Sequence, residues 1–208
     1  MLVFGRATFH MRLPNRAHIS HPWRIHELTP DFALLDVWAL PTPGGADDFP
    51  DLVTLFSAFD PTRGGPAVVR LLFGLRTAIG AALGWDDPGT GLGSRVQTLR
   101  EALPHDLREG PTGPTSPAAP FRPLYLTEDE WALEMANQTV HGVLHLGWVE
   151  DGSGCYRGQM AVLVKPNGRL GKAYMAAISP FRHLVVYPLM MQTIGQRWRA
   201  RATELTPA

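Results

Sequence analysis

NQTVHGVLHLGWVEDGSGCYRGQMAVLV, residues 137–164, decides the fold. Two apolar runs rich in β-branched and aromatic residues flank EDGSGC, whose glycines and aspartate favour a turn. The reading is an antiparallel hairpin with strands over 139–149 and 156–164, entered by a turn at Asn137–Gln138. If Val149 faces Tyr156, then His145 faces Met160, Val143 faces Val162 and His141 faces Val164. On that register the two histidines share a face with Val143, Met160 and Val162. The other face carries Leu144, Leu146, Trp148, Arg157, Gln159 and Lys165. Its polar ends, Arg157 and Lys165, turn it toward solvent and the histidines inward.

His141 and His145 have the four-residue spacing of a helical metal site, but on a strand they lie roughly 13 Å apart. One zinc ion, with Zn–N bonds of about 2 Å, cannot join them. No metal is expected. A buried histidine still needs hydrogen-bond partners or an accessible cavity. The pair therefore reads as structural histidines or as polar points in a pocket wall. No nucleophile stands beside them in sequence. Cys155 sits in the turn and reads as a loop thiol.

Outward from the hairpin, residues 31–40, DFALLDVWAL, read as a strand. Asp51 is placed to cap a short helix reaching about Phe59. Residues 66–84 carry Val68, Leu72, Leu75, Ile79 and Ala82 on one helical stripe. Residues 3–10 suit a strand, and HPWRIHEL reads as irregular. TEDEWALEM, 127–135, is ambiguous: Thr127 with Glu130 fits a capping box, while Trp131, Leu133 and Met135 alternate as in a strand. After the hairpin, residues 168–179, GRLGKAYMAAIS, read as a short helix. Ser179–Pro180 then reads as the start of a long one running to about Arg201, with Pro188 as a kink. Arg182 and His183 would fall in its first turn, a poor place for a cation unless an acidic partner faces them.

The bulk composition narrows the function classes. The chain has 208 residues, 45% hydrophobic, with 19 basic and 19 acidic side chains and no net charge. This is one globular domain with a sizeable core, a 1–20 N-terminal extension and a Pro/Gly-rich loop over about 104–120. Nothing builds the basic field of a nucleic-acid binder. A single cysteine suits the cytoplasm. No apolar run is long enough for a membrane span, and the N-terminus is not a signal peptide. GLGS at 91–94 and KPNGRLGK at 165–172 lack the context of phosphate-binding loops.

The C-terminal block NQTVHGVLHLGWV…YRGQMAVLVKPNGRLGKAYMAAISPFRHLVVYP resembles the DUF2867 family of uncharacterised bacterial proteins. HPWRIHELTPDFALLDVWALPTPGGADDFPDL and FGLRTAIGAALGWD look like the same family, so the resemblance runs from about His21 to Trp198. It implies a relation to the START-like, or SRPBCC, superfamily. The implied fold is an α+β helix-grip: a curved antiparallel β-sheet wrapped around a long C-terminal helix. It favours a strand at 130–136 and a cavity between sheet and helix. Some family domains follow a short-chain dehydrogenase-like domain. None is present here, so no cofactor is expected and a nicotinamide role would need a separate partner.

The leading expectation is a protein that binds a small hydrophobic or amphipathic molecule in that cavity. Its expected lining is His141, Val143, His145, Met160, Val162, Tyr174, Phe181 and Val185, with Leu35, Val37 and Met190 as further wall. The alternatives are an enzyme of cyclase, isomerase or hydrolase type using His141 or His145 as acid or base, and a partner-binding domain, compatible with a homodimer, that holds no ligand.

Overall fold

The hairpin forms, with its register one residue from the expected one. The structure is a computed structural model that describes residues 12–58, 92, 96–115 and 121–204. Strands β5 (Val140–Glu150) and β6 (Tyr156–Pro166) pair antiparallel and close at Glu150 opposite Tyr156. The closing loop has Gly152 and Gly154 at φ 84° and 83°, a region open to glycine, and the Asp151 amide donates to the Cys155 carbonyl. The expected pairing would have needed a longer loop. A one-residue slip moves every side chain of one strand to the other face. His145 therefore faces Ala161, Val143 faces Leu163 and His141 faces Lys165, while Met160 and Val162 pair with Leu146 and Leu144.

The strands before the hairpin complete a six-stranded antiparallel sheet. They are β1 (Arg12–Leu13), β2 (Ala33–Ala39), β3 (Arg122–Leu126) and β4 (Glu130–Ala136). The sheet order is β1-β2-β6-β5-β4-β3. The strands expected at 31–40 and 130–136 are present, so the alternation in TEDEWALEM outweighs its capping signal.

Both faces of the sheet are covered, which is why neither face of the hairpin reads as polar. One face, with Trp38, Leu146, Trp148 and Met160, packs on the C-terminal helix through Tyr187, Met191, Ile194 and Trp198. Helix α3 (Phe49–Ser57) shares this core through Phe49, Leu52 and Val53. The opposite face, with Val37, Val143, Ala161 and Leu163, lies under Trp23, Ile25 and Leu28. These belong to an N-terminal layer of two short helices, α1 (Arg16–Ile19) and α2 (Ile25–Leu28). Leu103 and Leu107 join that core from beside and within α4 (His105–Glu109), a helix inside the segment expected to be loop. Trp23 lies directly over Gly147, where an added Cβ would stand 2.7 Å from its ring. The histidine face thus looks away from the C-terminal helix, not under it as the choice of Arg157 and Lys165 for the solvent side implied.

The C-terminal helix begins earlier than Ser179–Pro180 suggests. One helical run links α5 (Gly168–Phe181), a π turn (Arg182–Val186) and α6 (Tyr187–Glu204). Pro180 lies inside α5 and Pro188 is the second residue of α6. Each proline removes an N–H that would hold the four-residue bonding pattern. Between them the chain widens, and the Tyr187 amide donates to the Arg182 carbonyl five residues back. Arg182 and His183 are therefore mid-helix, away from an N-terminal dipole. Among the described residues no helix is long and apolar enough to cross a membrane. The expected strand at 3–10, the helix at 66–84 and most of GLGS lie outside the described residues.

Candidate functional site

Two β-bulges aim polar groups into the two cores. In β2, Leu34 pairs with Leu163 and Asp36 pairs with Val162, leaving Leu35 as the extra residue. Without the bulge Asp36 would share the face of Leu34. With it Asp36 turns to the helix side. In β3, Pro123 pairs with Leu133 and Tyr125 pairs with Ala132, so the extra residue is Leu124 and Tyr125 turns to the histidine side.

Asp36 is fully buried. Its carboxylate accepts from Arg182, from His183 Nε2 at 2.6 Å and from the Tyr187 hydroxyl at 3.0 Å, with an Arg12 guanidinium nitrogen at 3.5 Å. The π turn makes this convergence geometric. Five residues of α-helix would set Arg182 and Tyr187 about 140° apart, whereas five-residue bonding stacks them. His183 Nδ1 donates to the Ser179 carbonyl at 2.7 Å, which leaves its Nε2 to Asp36. On that tautomer the His183 Nε2–Asp36 Oδ1 contact shares one proton between ring and carboxyl. Burial, then the Asp36 charge set against that of Arg182, raises the Tyr187 phenol above its usual value and keeps it a donor.

Two buried indole N–H groups have no partner among the described residues, Trp23 on the opposite face and Trp38 at this cluster. The indole N–H groups of Trp131, Trp148 and Trp198 donate to the Thr112, Gly45 and Pro43 carbonyls. Trp38 packs on Tyr187 with ring centroids 4.7 Å apart, yet its buried Nε1 has no partner among the described residues. Arg182 Nε is likewise buried and unpartnered, and its guanidinium lies 5.8 Å from the Tyr187 ring centre. Native proteins rarely leave such donors unmatched, and each one asks for an explanation.

The histidine side holds two carboxylate–imidazole pairs. His145 Nε2 meets Glu130 Oε2 at 2.7 Å, and His141 Nε2 meets Glu134 Oε1 at 2.7 Å. The two pairs repeat one diagonal relation. His145 is opposite Ala132 and His141 opposite Ala136, so each glutamate sits two residues before the partner position. Glu134 also accepts from the Leu99 amide and the Thr98 hydroxyl, at 2.8 and 2.6 Å. Glu130 accepts from the Arg24 amide and the Tyr125 hydroxyl, at 2.9 and 3.1 Å. Burial pushes the Glu130 carboxyl up, but His145, the Arg24 amide and Tyr125 outweigh it and hold the group below its usual value. The His145 ring has a second contact, to His18 Nε2 at 3.1 Å, and His18 Nδ1 meets His26 Nε2 at 3.1 Å.

The eight residues expected to line one cavity are therefore divided. His141, Val143 and His145 lie on the N-terminal side, and Met160 is buried in the helix-side core. Val162 pairs with Asp36, and Phe181 and Val185 flank Arg182 and His183, all half-buried. The Tyr174 side chain is outside the described ones. Asp36, Trp38, Glu130 and Glu134 carry the polar chemistry and were not among the expected residues. Two signals stood in the sequence: an aspartate inside an apolar strand, and Glu130/Glu134 at the same four-residue spacing as His141/His145. Among the described residues no group of three or more His, Cys, Asp or Glu is arranged to hold a metal ion.

Fold and site define an α+β protein with a six-stranded antiparallel sheet, a long C-terminal helix and a buried carboxylate cluster on each face. Residues 28–189 match the family model described as "Protein of unknown function (DUF2867)", and the chain belongs to that family. No curated protein and no solved structure matches it.

Proposed function

We propose that this protein binds a small amphipathic molecule between the sheet and the C-terminal helix, with an anionic or acceptor-rich head at the Asp36–Arg182–His183 cluster. The observation that carries the reading is the pair of unpartnered buried donors, Trp38 Nε1 and Arg182 Nε, both beside Tyr187. Charge supports it. Asp36 faces two guanidinium groups besides the His183 ring, so one carboxylate leaves a positive surplus. The half-buried Val162, Phe181 and Val185 offer apolar surface for the body of such a molecule. A π turn at the site fits the frequent use of such turns at functional positions. A START-like helix-grip is the fold reading that goes with this proposal. The helix packed on one sheet face favours it, while the N-terminal layer on the other face is an addition to it.

An acid–base enzyme is the second reading, and the Glu134–His141 pair favours it. A carboxylate fixes one ring nitrogen there, as in catalytic dyads. His145 is less suited, since both of its ring nitrogens are engaged.

Native mass spectrometry of freshly purified protein, followed by denaturing extraction, tests the binding reading. The expected result is a stoichiometric small acid released on denaturation, or uptake of added decanoate at one site. Bare protein that also takes up no decanoate contradicts it.

A further inference from the structure

Three imidazoles and one carboxylate form a continuous row from the N-terminal layer to the sheet: His26, His18, His145 and Glu130. Neighbouring rings stand edge to face, with centroids 4.9 Å apart at both contacts. His18 and His145 are fully buried, and His26 is half-buried. We propose that residues 15–28 are an acid-released cover over the Glu130–His145 pair, held while His18 and His26 are neutral and freed when they charge.

Proton counting shows why. With Glu130 ionised, His145 donates Nε2–H to it and accepts at Nδ1. His18 must then donate Nε2–H and accept at Nδ1, so His26 donates Nε2–H. Only this assignment makes every bond with three neutral rings. One extra proton entering at His26 Nδ1 fits without loss. His26 and His18 each pass their Nε2 proton inward, His145 keeps its own and ends with protons on both nitrogens against Glu130, and His18 then donates from Nδ1 to His26. A second proton has no such place. It sets two N–H groups against each other across a 3.1 Å contact and puts two cations in one buried row. Burial, then the charges of His145, His26 and His21, lowers His18 to about 2. Burial and then His145 also lower His26.

The other links of the cover are side-chain amide hydrogen bonds and a guanidinium held by carboxylates. Asn15 Nδ2 donates to the Leu34 carbonyl at 2.8 Å, and Gln159 Nε2 to the Ala17 carbonyl at 3.3 Å. Arg24 meets Glu27 at 3.3 Å and Asp106 of α4 at 2.7 Å, and Arg24 holds the Asp106 carboxyl below its usual range. Tyr125 of β3 is raised by burial and by Glu130 and stays protonated. His21, stacked on Trp23 at 5.0 Å, and Arg16 are the remaining ionisable side chains on the cover. The histidine row is thus the link that mild acid can break, and its release would bare a carboxylate–imidazole pair that neutral pH keeps closed.

Hydrogen exchange at pH 7.5, 6.5 and 5.5, corrected for the intrinsic pH dependence of amide exchange, reads this directly. For each histidine that returns to its usual 6.5 on release, protection over 15–28 should fall about twofold from pH 7.5 to 6.5 and about fivefold more from 6.5 to 5.5, with β6 protection unchanged. His18→Gln, whose amide can donate and accept in place of the ring, should flatten the dependence. His26→Gln, at a half-buried position, should do so too and keeps the test alive if the first variant does not fold. Constant protection over 15–28, loss in step with β6, or an unaltered slope in the folded variants would overturn the proposal.

Discussion

His18 shows how one buried side chain sets a pH limit on the whole fold. Burial and the neighbouring imidazoles lower its ring to about 2 while the histidine row is closed, but it binds a proton near the usual 6.5 when the chain unfolds. Between those values the unfolded state holds the extra proton, so stability falls as pH falls. The slope from His18 alone is about 1.4 kcal/mol per pH unit. Glu130, held below its usual 4.5, pushes in the same direction only under that pH. Urea unfolding at pH 7.5, 6.0 and 5.0 should show this loss, and His18→Gln should remove about one proton's share of it. Asp36 carries the matching load on the helix side. Asp36→Asn leaves Arg182 without its counter-charge in a buried setting, at a cost of about 3 kcal/mol. Thermal unfolding checks it, and a change under 1 kcal/mol would mean that water, not Asp36, satisfies this cation. Asp36 stands out in sequence as an aspartate inside an apolar strand, but the direction it faces does not, and His18 does not stand out at all. His18 stands in a stretch without periodicity, and its partner is 127 residues away. Asp36 takes its meaning from a bulge that no local pattern signals.

At the scale of elements, strong local chemistry was legible and pairing was not. The strands at 31–40 and 139–164 follow from β-branched and aromatic content, and the short helix over Phe49–Ser57 from its turn-rich entry. The hairpin register rests on loop closure by two left-handed glycines, and a single residue of error moved both histidines relative to Met160 and Val162. Ser179–Pro180 carries a good helix-start signal, yet the helix runs through it. The π turn between Pro180 and Pro188 absorbs the missing bonds, and packing on the sheet outweighs the local stop. The acidic partner that Arg182 and His183 called for is Asp36, supplied from β2. Contacts between elements also show at glycine. Gly147→Ala places a methyl group 2.7 Å from the Trp23 ring and should cost about 1–3 kcal/mol by pushing the N-terminal layer away. Exchange over 15–28 should rise in this variant at pH 7.5, while exchange in α6 stays as it was.

For the whole molecule, the decisive feature is a sheet buried on both sides. It explains why the hairpin lacks a clean apolar–polar alternation and why periodicity could not say which face is inward. It also separates two chemistries that the sequence seemed to join. The face under the C-terminal helix has a cationic surplus at Asp36 with Trp38 Nε1 and Arg182 Nε unmatched beside it, and the opposite face has a row of histidines ending on glutamate, under a Trp23 whose Nε1 is also unmatched. The central claim is that the first of these faces receives an anionic head. Calorimetric titration of decanoate and decanol into the protein at pH 7.5, repeated with Arg182→Gln, tests it most directly. A charge-assisted hydrogen bond is worth about 1.5–3 kcal/mol, so decanoate should bind at least about tenfold more tightly than decanol. The variant should lose that preference while keeping its affinity for decanol. Equal affinities in the parent protein, or no binding of either compound, would contradict the account.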